Sequence, residues 1–239
     1  MKKKFLVAIT TYGSHAYVDL GLECYSRYPE CDCIVLDDCS KDERLMAVCR
    51  NRSVPLISHF EKHGHLAGDM YSIARAIQYA YENGYEYVVK SSRRWICLEN
   101  PFPELAFAIR ISDAYTFSNI TTTYGFGFRT EFMALHSASW YNKIDRMLKN
   151  MPNAHNLLVE DYIHKLSVEN QPQSELYKNF MQAQHYKENL RDYFHFPWMG
   201  TDRKNPPGYI LWHDIHPPQR YNEESVRLGL DWRLEDFRV

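Results

Sequence analysis

Thr10-Thr11-Tyr12, Asp37-Asp38-Cys39-Ser40, His63 to Asp69 and Ser91-Ser92-Arg93-Arg94 are the stretches of this 239-residue chain whose side chains could hold a polar ligand. Each brings a different chemistry. The carboxylates of Asp37 and Asp38 can accept two hydroxyl donors from one ribose, or they can cap the helix that follows them. Arg93 and Arg94 carry guanidinium groups whose fixed fork matches the oxygens of a phosphate, with Lys90 as a third cation nearby. Surface ion pairs with Glu99 and Asp69 are the competing use of the two arginines. Asp69 itself reads as a residue of the first turn of a helix, where the dipole favours a carboxylate with or without a ligand.

For these stretches to meet, a scaffold must deliver them to one edge. Phe5 to Ile9 is a short apolar, β-rich run of the kind buried on both faces of a sheet, and a loop follows from Thr10 to Ser14. A helix is expected from His15 to about Tyr28, a strand over Cys33 to Leu36, and a helix near Lys41 capped by Ser40. Val54 to Ser58 is a third strand. Met70, Ile73, Ala74, Ile77 and Tyr81 recur at helical spacing up to Gly84, and Tyr85 to Lys90 is a fourth strand. Strand and helix thus alternate through the first hundred residues, which predicts a parallel sheet with helices on both faces. In such a sheet the four polar stretches all fall at the C-terminal ends of strands, where open α/β sheets bind ligands.

The second half is less regular. Ala114 to Asn119 and Thr130 to Leu135 read as strands, Ser137 to Asn150, Asn156 to Ser167 and Ser174 to Arg191 as helices, and the Pro- and Trp-rich tail from Phe196 as irregular structure. Leu158, Tyr162, Ile163 and Leu166 form the buried stripe of one helix and leave Glu160 and Asp161 on its flanks.

Composition narrows the function. The 45% hydrophobic and 24% charged residues are those of a chain able to build one packed core. With 28 basic against 30 acidic residues the net charge is −2, so no global field holds the chain to nucleic acid or to an anionic membrane, and any phosphate must be recognised locally. The six cysteines include Cys31-x-Cys33, which lacks the spacing of a structural zinc pair, and reduced packed thiols are expected. The apolar run after Lys2-Lys3-Lys4 stops at Thr10, short of a signal peptide, and no stretch approaches the ~20 apolar residues of a membrane span. The expectation is a cytoplasmic protein, with peripheral attachment to a membrane left open.

"VAITTYGS", followed about 25 residues later by "CIVLDDCSKDE", resembles the opening of glycosyltransferase family 2 and related GT-A enzymes, and "HLAGDMYSIARAIQYAYENGYEYVVKSS" continues the likeness to about residue 95. The resemblance implies a Rossmann-like GT-A α/β fold with a mainly parallel central sheet, in one domain over 1–239. Its nucleotide-binding half would be 1–100, its acceptor-side half 101–195, and its irregular tail 196–239. By position it implies that Thr10, Thr11, Tyr12, Asp37, Asp38 and Asp69 bind the nucleotide. It further implies transfer of a sugar from a nucleoside diphosphate sugar to a glycan or lipid-linked acceptor, as in polysaccharide biosynthesis.

The chain departs from that family where a metal would bind. GT-A enzymes end the fourth strand with Asp-x-Asp, whose oxygens hold Mn²⁺ or Mg²⁺ against the diphosphate. Ser91-Ser92-Arg93-Arg94 stands there instead, and Ser92, Arg93 and Arg94 are expected to bind the phosphate and sugar directly, with no metal required. The Glu160-Asp161 pair resembles the family's acidic pair, which implies Asp161 as the base of an inverting reaction. Glu131, in "GFGFRTEFMAL", is the competing base. His213 and His216 resemble the late metal-site histidine of some GT-A enzymes, but without Asp-x-Asp an aromatic turn beside Pro217-Pro218 is the expected use. Two other readings stay open: a GT-A-like subunit that binds a glycan or partner protein without catalysis, and a nucleotidyltransferase, against which the missing Gly-rich triphosphate loop counts.

Overall fold

The computed structural model describes residues 4–97, 100–110, 115–121, 127–150, 162, 163, 166, 199–200, 211–212 and 218–237. Its centre is Phe5–Thr11 (β1), seven residues that are all buried. Thr10 and Thr11, expected in a loop, belong to this strand, which suits their β-branched side chains. Cys31–Asp37 (β2) pairs in parallel with one edge of β1, and Leu56–Ser58 (β3) pairs in parallel with β2. Tyr87–Ser92 (β4) pairs in parallel with the other edge of β1. Thr116–Thr121 (β6) and Gly127–His136 (β7) complete a sheet of order β3-β2-β1-β4-β7-β6, in which β7 runs against both its neighbours. Ile96–Cys97 (β5) stands apart in a small sheet with Met199–Gly200 (β8) and Leu211–Trp212 (β9).

His15–Ser26 (α1) and Glu43–Asn51 (α2) carry the chain outward from β1 to β3, and His65–Glu82 (α3) brings it back across to β4. On α1, Gly21 comes so near that a Cβ there would lie 3.4 Å from Cδ1 of Ile9. The next residue, Thr10, faces Asp69 of α3. Since neighbouring strand residues point to opposite faces, α1 and α3 cover opposite sides of the sheet. The reversal makes the C-terminal edge between β1 and β4 the switch point of the topology, where such sheets bind ligands.

Several boundaries differ from the expected ones for identifiable reasons. The cap of α2 is Asp42, whose carboxylate accepts from the N–H groups of Arg44 and Leu45 at 2.9 and 3.2 Å, and not Ser40. α3 starts at His65, so Asp69 lies in its second turn and not in its first or in a preceding loop. β4 runs on through Ser91 and Ser92, which leaves Arg93 and Arg94 as the turn. The stretch from Ser137 is two helices, Ser137–Tyr141 (α5) and Ile144–Asn150 (α6), with Phe102–Arg110 (α4) earlier in the chain. Tyr162, Ile163 and Leu166 are helical and buried, as their spacing predicts.

The stretch read as an irregular tail contains a helix, Pro218–Arg227 (α7), and a 3-10 turn, Leu234–Phe237. Both pack on α1 through aromatic rings: Tyr17 meets Tyr221 and Phe237 edge-on, with centroids 4.7 and 5.1 Å apart. Edge-to-face contact of this kind adds about 0.5–1.5 kcal/mol per pair to the burial of the rings. The Trp232 indole N–H donates to Asp19 at 2.6 Å, and Arg52 of the loop after α2 binds both Asp19 and Glu23. Cys24, Cys31 and Cys49 are buried, and burial, helped by Asp37 and Asp19, pushes the Cys49 thiol up to about 11.

Candidate functional site

At the end of β1 the chain turns sharply, with Gly13 and Ser14 both in the left-handed region at φ 65° and 60°. Asp37, 2% exposed, fixes this turn to the next one: it accepts the Gly13 N–H at 3.0 Å on one oxygen and the Ser40 N–H at 2.8 Å on the other. Asp38 does the same one loop further on, accepting from the N–H groups of His63 and Gly64 at 2.9 Å each. Its carboxylate thus sits at the start of α3 in place of a side-chain cap. That seat depends on Gly68, where a Cβ would come within 2.7 Å of Asp38 Oδ2. Both carboxylates therefore hold loops in register at the C-terminal edge of the sheet, and neither caps α2.

Positive charge collects one strand over. Lys90 is 2% exposed, and its ammonium donates to Asp69 Oδ2 at 3.0 Å, while Thr10 Oγ1 reaches Asp69 Oδ1 at 3.5 Å. The partner of Asp69 is thus Lys90 on β4, where the sequence suggested Arg93 or Arg94. Ser91 points to the other face and shares a hydrogen bond with the Tyr25 hydroxyl at 3.0 Å. Beyond the strand, the Arg93 N–H donates to Thr10 O at 3.1 Å and its guanidinium to Tyr12 O at 3.2 Å. The Arg94 carbonyl accepts from the Tyr221 hydroxyl at 3.0 Å, and the Trp95 N–H closes the turn on Ser92 O. The arginine turn is so tied to β1 on one side and to α7 on the other.

The outer rim is aromatic. Tyr12 is 44% exposed, with the Lys62 ammonium 3.9 Å from its ring centroid, a cation–π contact. Phe60, two residues before Lys62, is fully exposed, and His63 lies against Tyr71 with centroids 4.2 Å apart. His59 shares a hydrogen bond with Ser72 at 3.1 Å. Burial lowers His59 and His136 below the ordinary 6.5. Their unfolded forms take up more protons as the pH falls through that value, so the stability they contribute is full above it and is lost on the way down. Thermal melting followed by circular dichroism is expected to shift to lower temperature between about pH 7.5 and pH 5.5; an unchanged melting temperature would show that neither histidine is held neutral by the fold.

The end of β4 offers, among the described residues, Ser91, whose hydroxyl is engaged by Tyr25, then Ser92 and the two arginines, and Lys90 and backbone N–H groups bind the carboxylates nearby. Among the described residues no three His, Cys, Asp or Glu side chains are grouped to hold a metal ion. Glu131 lies on β7 one residue before Phe132, which pairs with Ser91, so the register puts its backbone at the Ser92 end of the sheet. Asp161, His213 and His216 lie outside the described residues.

Tyr25, Lys62 and Tyr221 have no counterpart among the residues expected from sequence. For Tyr221 a signal existed, since Tyr221, Glu224 and Ser225 at i, i+3, i+4 form the buried stripe of α7. A cleft of about 540 Å³ opens elsewhere, at the N-terminal ends of β1 and β2, lined by residues such as Cys31, Asp32, Tyr79 and Tyr85. Asp32 and Tyr85 satisfy each other there at 2.9 Å, and none of Thr10, Asp37, Asp38, Asp69, Arg93 or Arg94 lines it. The switch-point edge, where polar groups from three strands converge, is the better candidate.

No protein-family model matches the chain, and no curated protein matches it in sequence. Solved structures do. An active-site mutant of LgtC superposes with a TM-score of 0.62 at 13% identity, over 93% of this chain and 95% of LgtC. The galactosyltransferase LgtC in complex with donor and acceptor sugar analogs gives 0.58 at 13% identity, over 95% and 97% of the two chains. The glycosyltransferase GlyE of Streptococcus pneumoniae TIGR4 gives 0.59 at 11% identity, over 99% of this chain and 62% of GlyE. TarS of S. aureus overlaps only in part, at 0.45 and 18% identity, over 59% of this chain and 49% of TarS. The chain thus spans less than two thirds of the TarS and GlyE chains. The fold is the GT-A α/β fold, with a six-stranded central sheet flanked by helices. No described helix is long and apolar enough to cross a membrane.

Proposed function

We propose that this protein is a glycosyltransferase that moves a sugar from a nucleoside diphosphate sugar to a glycan or lipid-linked acceptor, with inversion and without a divalent metal. The observation that carries the proposal is the arginine turn at the switch point of a GT-A sheet, where phosphate oxygens would meet guanidinium groups in place of a bridging cation. In this reading Thr10, Thr11, Tyr12, Asp37 and Asp38 frame the nucleoside, Asp69 holds Lys90 beneath the phosphates, and Ser92, Arg93 and Arg94 bind the departing diphosphate. Asp161 or Glu131 takes the proton of the acceptor hydroxyl as its oxygen bonds to the anomeric carbon and the nucleoside diphosphate leaves. The shared fold of LgtC and GlyE supports the donor class. Release of nucleoside diphosphate from a panel of sugar nucleotides, measured with acceptor extracts in excess EDTA, is expected to match release in buffer alone. Loss in EDTA restored by Mn²⁺ would overturn the metal-free reading, and tight nucleotide binding with no release would favour the non-catalytic binder.

A further inference from the structure

We infer that Tyr221 is a positioning residue that braces the Arg93-Arg94 turn for phosphate binding. The inference rests on the nucleotide reading above and extends it to a residue more than a hundred positions away. Tyr221 is 1% exposed and its hydroxyl is 3.0 Å from the Arg94 carbonyl oxygen. The ring cannot shift to follow a moving turn, because it is held between Tyr17 and Phe237 at centroid distances of 4.7 and 5.9 Å. Those partners are anchored in turn, since the Tyr17 hydroxyl donates to the Phe237 carbonyl and Trp232 is tied to Asp19.

The geometry of the turn explains why a brace matters. From β1 it is secured through the Arg93 N–H on Thr10 O and the guanidinium on Tyr12 O, and the Trp95 N–H on Ser92 O closes it on its own strand. The Tyr221 hydroxyl holds the carbonyl at the other end of that Arg94–Trp95 peptide. Gripped at both ends, the peptide plane is fixed, and with it the backbone from which the Arg94 side chain leaves. A guanidinium binds phosphate well only when its fork is aligned, so a loosened turn weakens diphosphate binding while the nucleoside contacts at β1 and β2 persist.

Tyr221→Phe removes one hydroxyl and keeps the ring. Its affinity for the nucleoside diphosphate that binds the parent most tightly, measured by calorimetry, is expected to fall about three- to tenfold, with affinity for the corresponding nucleoside unchanged. Hydrogen exchange in a peptide spanning residues 91–97 should quicken in the same variant. Tyr85→Phe, which removes a hydroxyl bound to Asp32 at the opposite end of the sheet, should leave both readouts at the parent values. Equal weakening of nucleoside and diphosphate, unchanged exchange, or the same effect in Tyr85→Phe would each overturn the inference. A parent that binds no nucleoside diphosphate would overturn the functional reading, and exchange that still quickens only in Tyr221→Phe would then support the brace without the phosphate.

Discussion

An Asp69→Ala variant is expected to lose about 3–5 kcal/mol of folding stability, the cost of leaving a buried charge without its partner. Lys90 is the charge in question: its ammonium is almost fully buried in the middle of the sheet, opposite Ala8 of β1 and Met133 of β7, and Asp69 is its carboxylate partner at 3.0 Å. Removing Asp69 also leaves Thr10 without the oxygen its hydroxyl reaches. Urea denaturation read by circular dichroism should show the midpoint falling with the slope retained. The double variant Asp69→Leu with Lys90→Met should recover most of the loss, because replacing both members of a buried pair with apolar residues is often neutral or better. A single variant as stable as the parent would mean that Lys90 reaches water or another anion, and that Asp69 is free to serve a ligand directly.

Arg93→Ala and Arg94→Ala are expected to lower sugar transfer by about 10²- to 10³-fold, the range seen when one preorganised donor to a developing charge is removed. The sign of the local charge is the reason. Where a GT-A strand end normally offers carboxylates to a metal, this one offers two guanidinium groups beyond Ser92. Arg→Lys at either position should rescue only part of the rate, since an ammonium carries the charge without the bidentate fork. Steady-state kinetics against donor concentration give the comparison, and alanine variants with parental kcat/KM would remove the arginines from the mechanism.

The strand-helix alternation of the first 95 residues was legible because β1, β2 and β4 are short, largely buried runs rich in apolar residues, a signal contained within the run itself. What sequence could not supply were pairings across distance. The start of α3 at His65 was not legible because the helix has no local side-chain cap; the anion at its N-terminus is Asp38, about 25 positions earlier. The Lys90–Asp69 pair is hidden in the same way, and its absence from the reading made Asp69 look available to Arg93 or Arg94. Asp37 and Asp38 lie at the C-terminal edge of the sheet, as the strand pattern predicts, but the backbone N–H groups that bind them belong to loops whose proximity only the fold creates. α7 was missed for another reason: Pro217-Pro218 suggested irregular structure, although a proline at the first helical position is itself a start signal.

The contacts of Tyr17 with Phe237 and of Asp19 with Trp232 join residues separated by more than two hundred positions, and this has a consequence for synthesis. Domains begin to fold as they leave the ribosome, N-terminal parts first. Asp19 can meet Arg52 as soon as α2 emerges, whereas Tyr17 gains Tyr221 and Phe237 only after about two hundred further residues have been made. Long-range closure of this kind is slow because the loop must be shut before any contact rewards it. The docking of α7 onto α1 and the Arg94 turn therefore follows synthesis of the sheet strands, so the arginine turn is made well before it is braced.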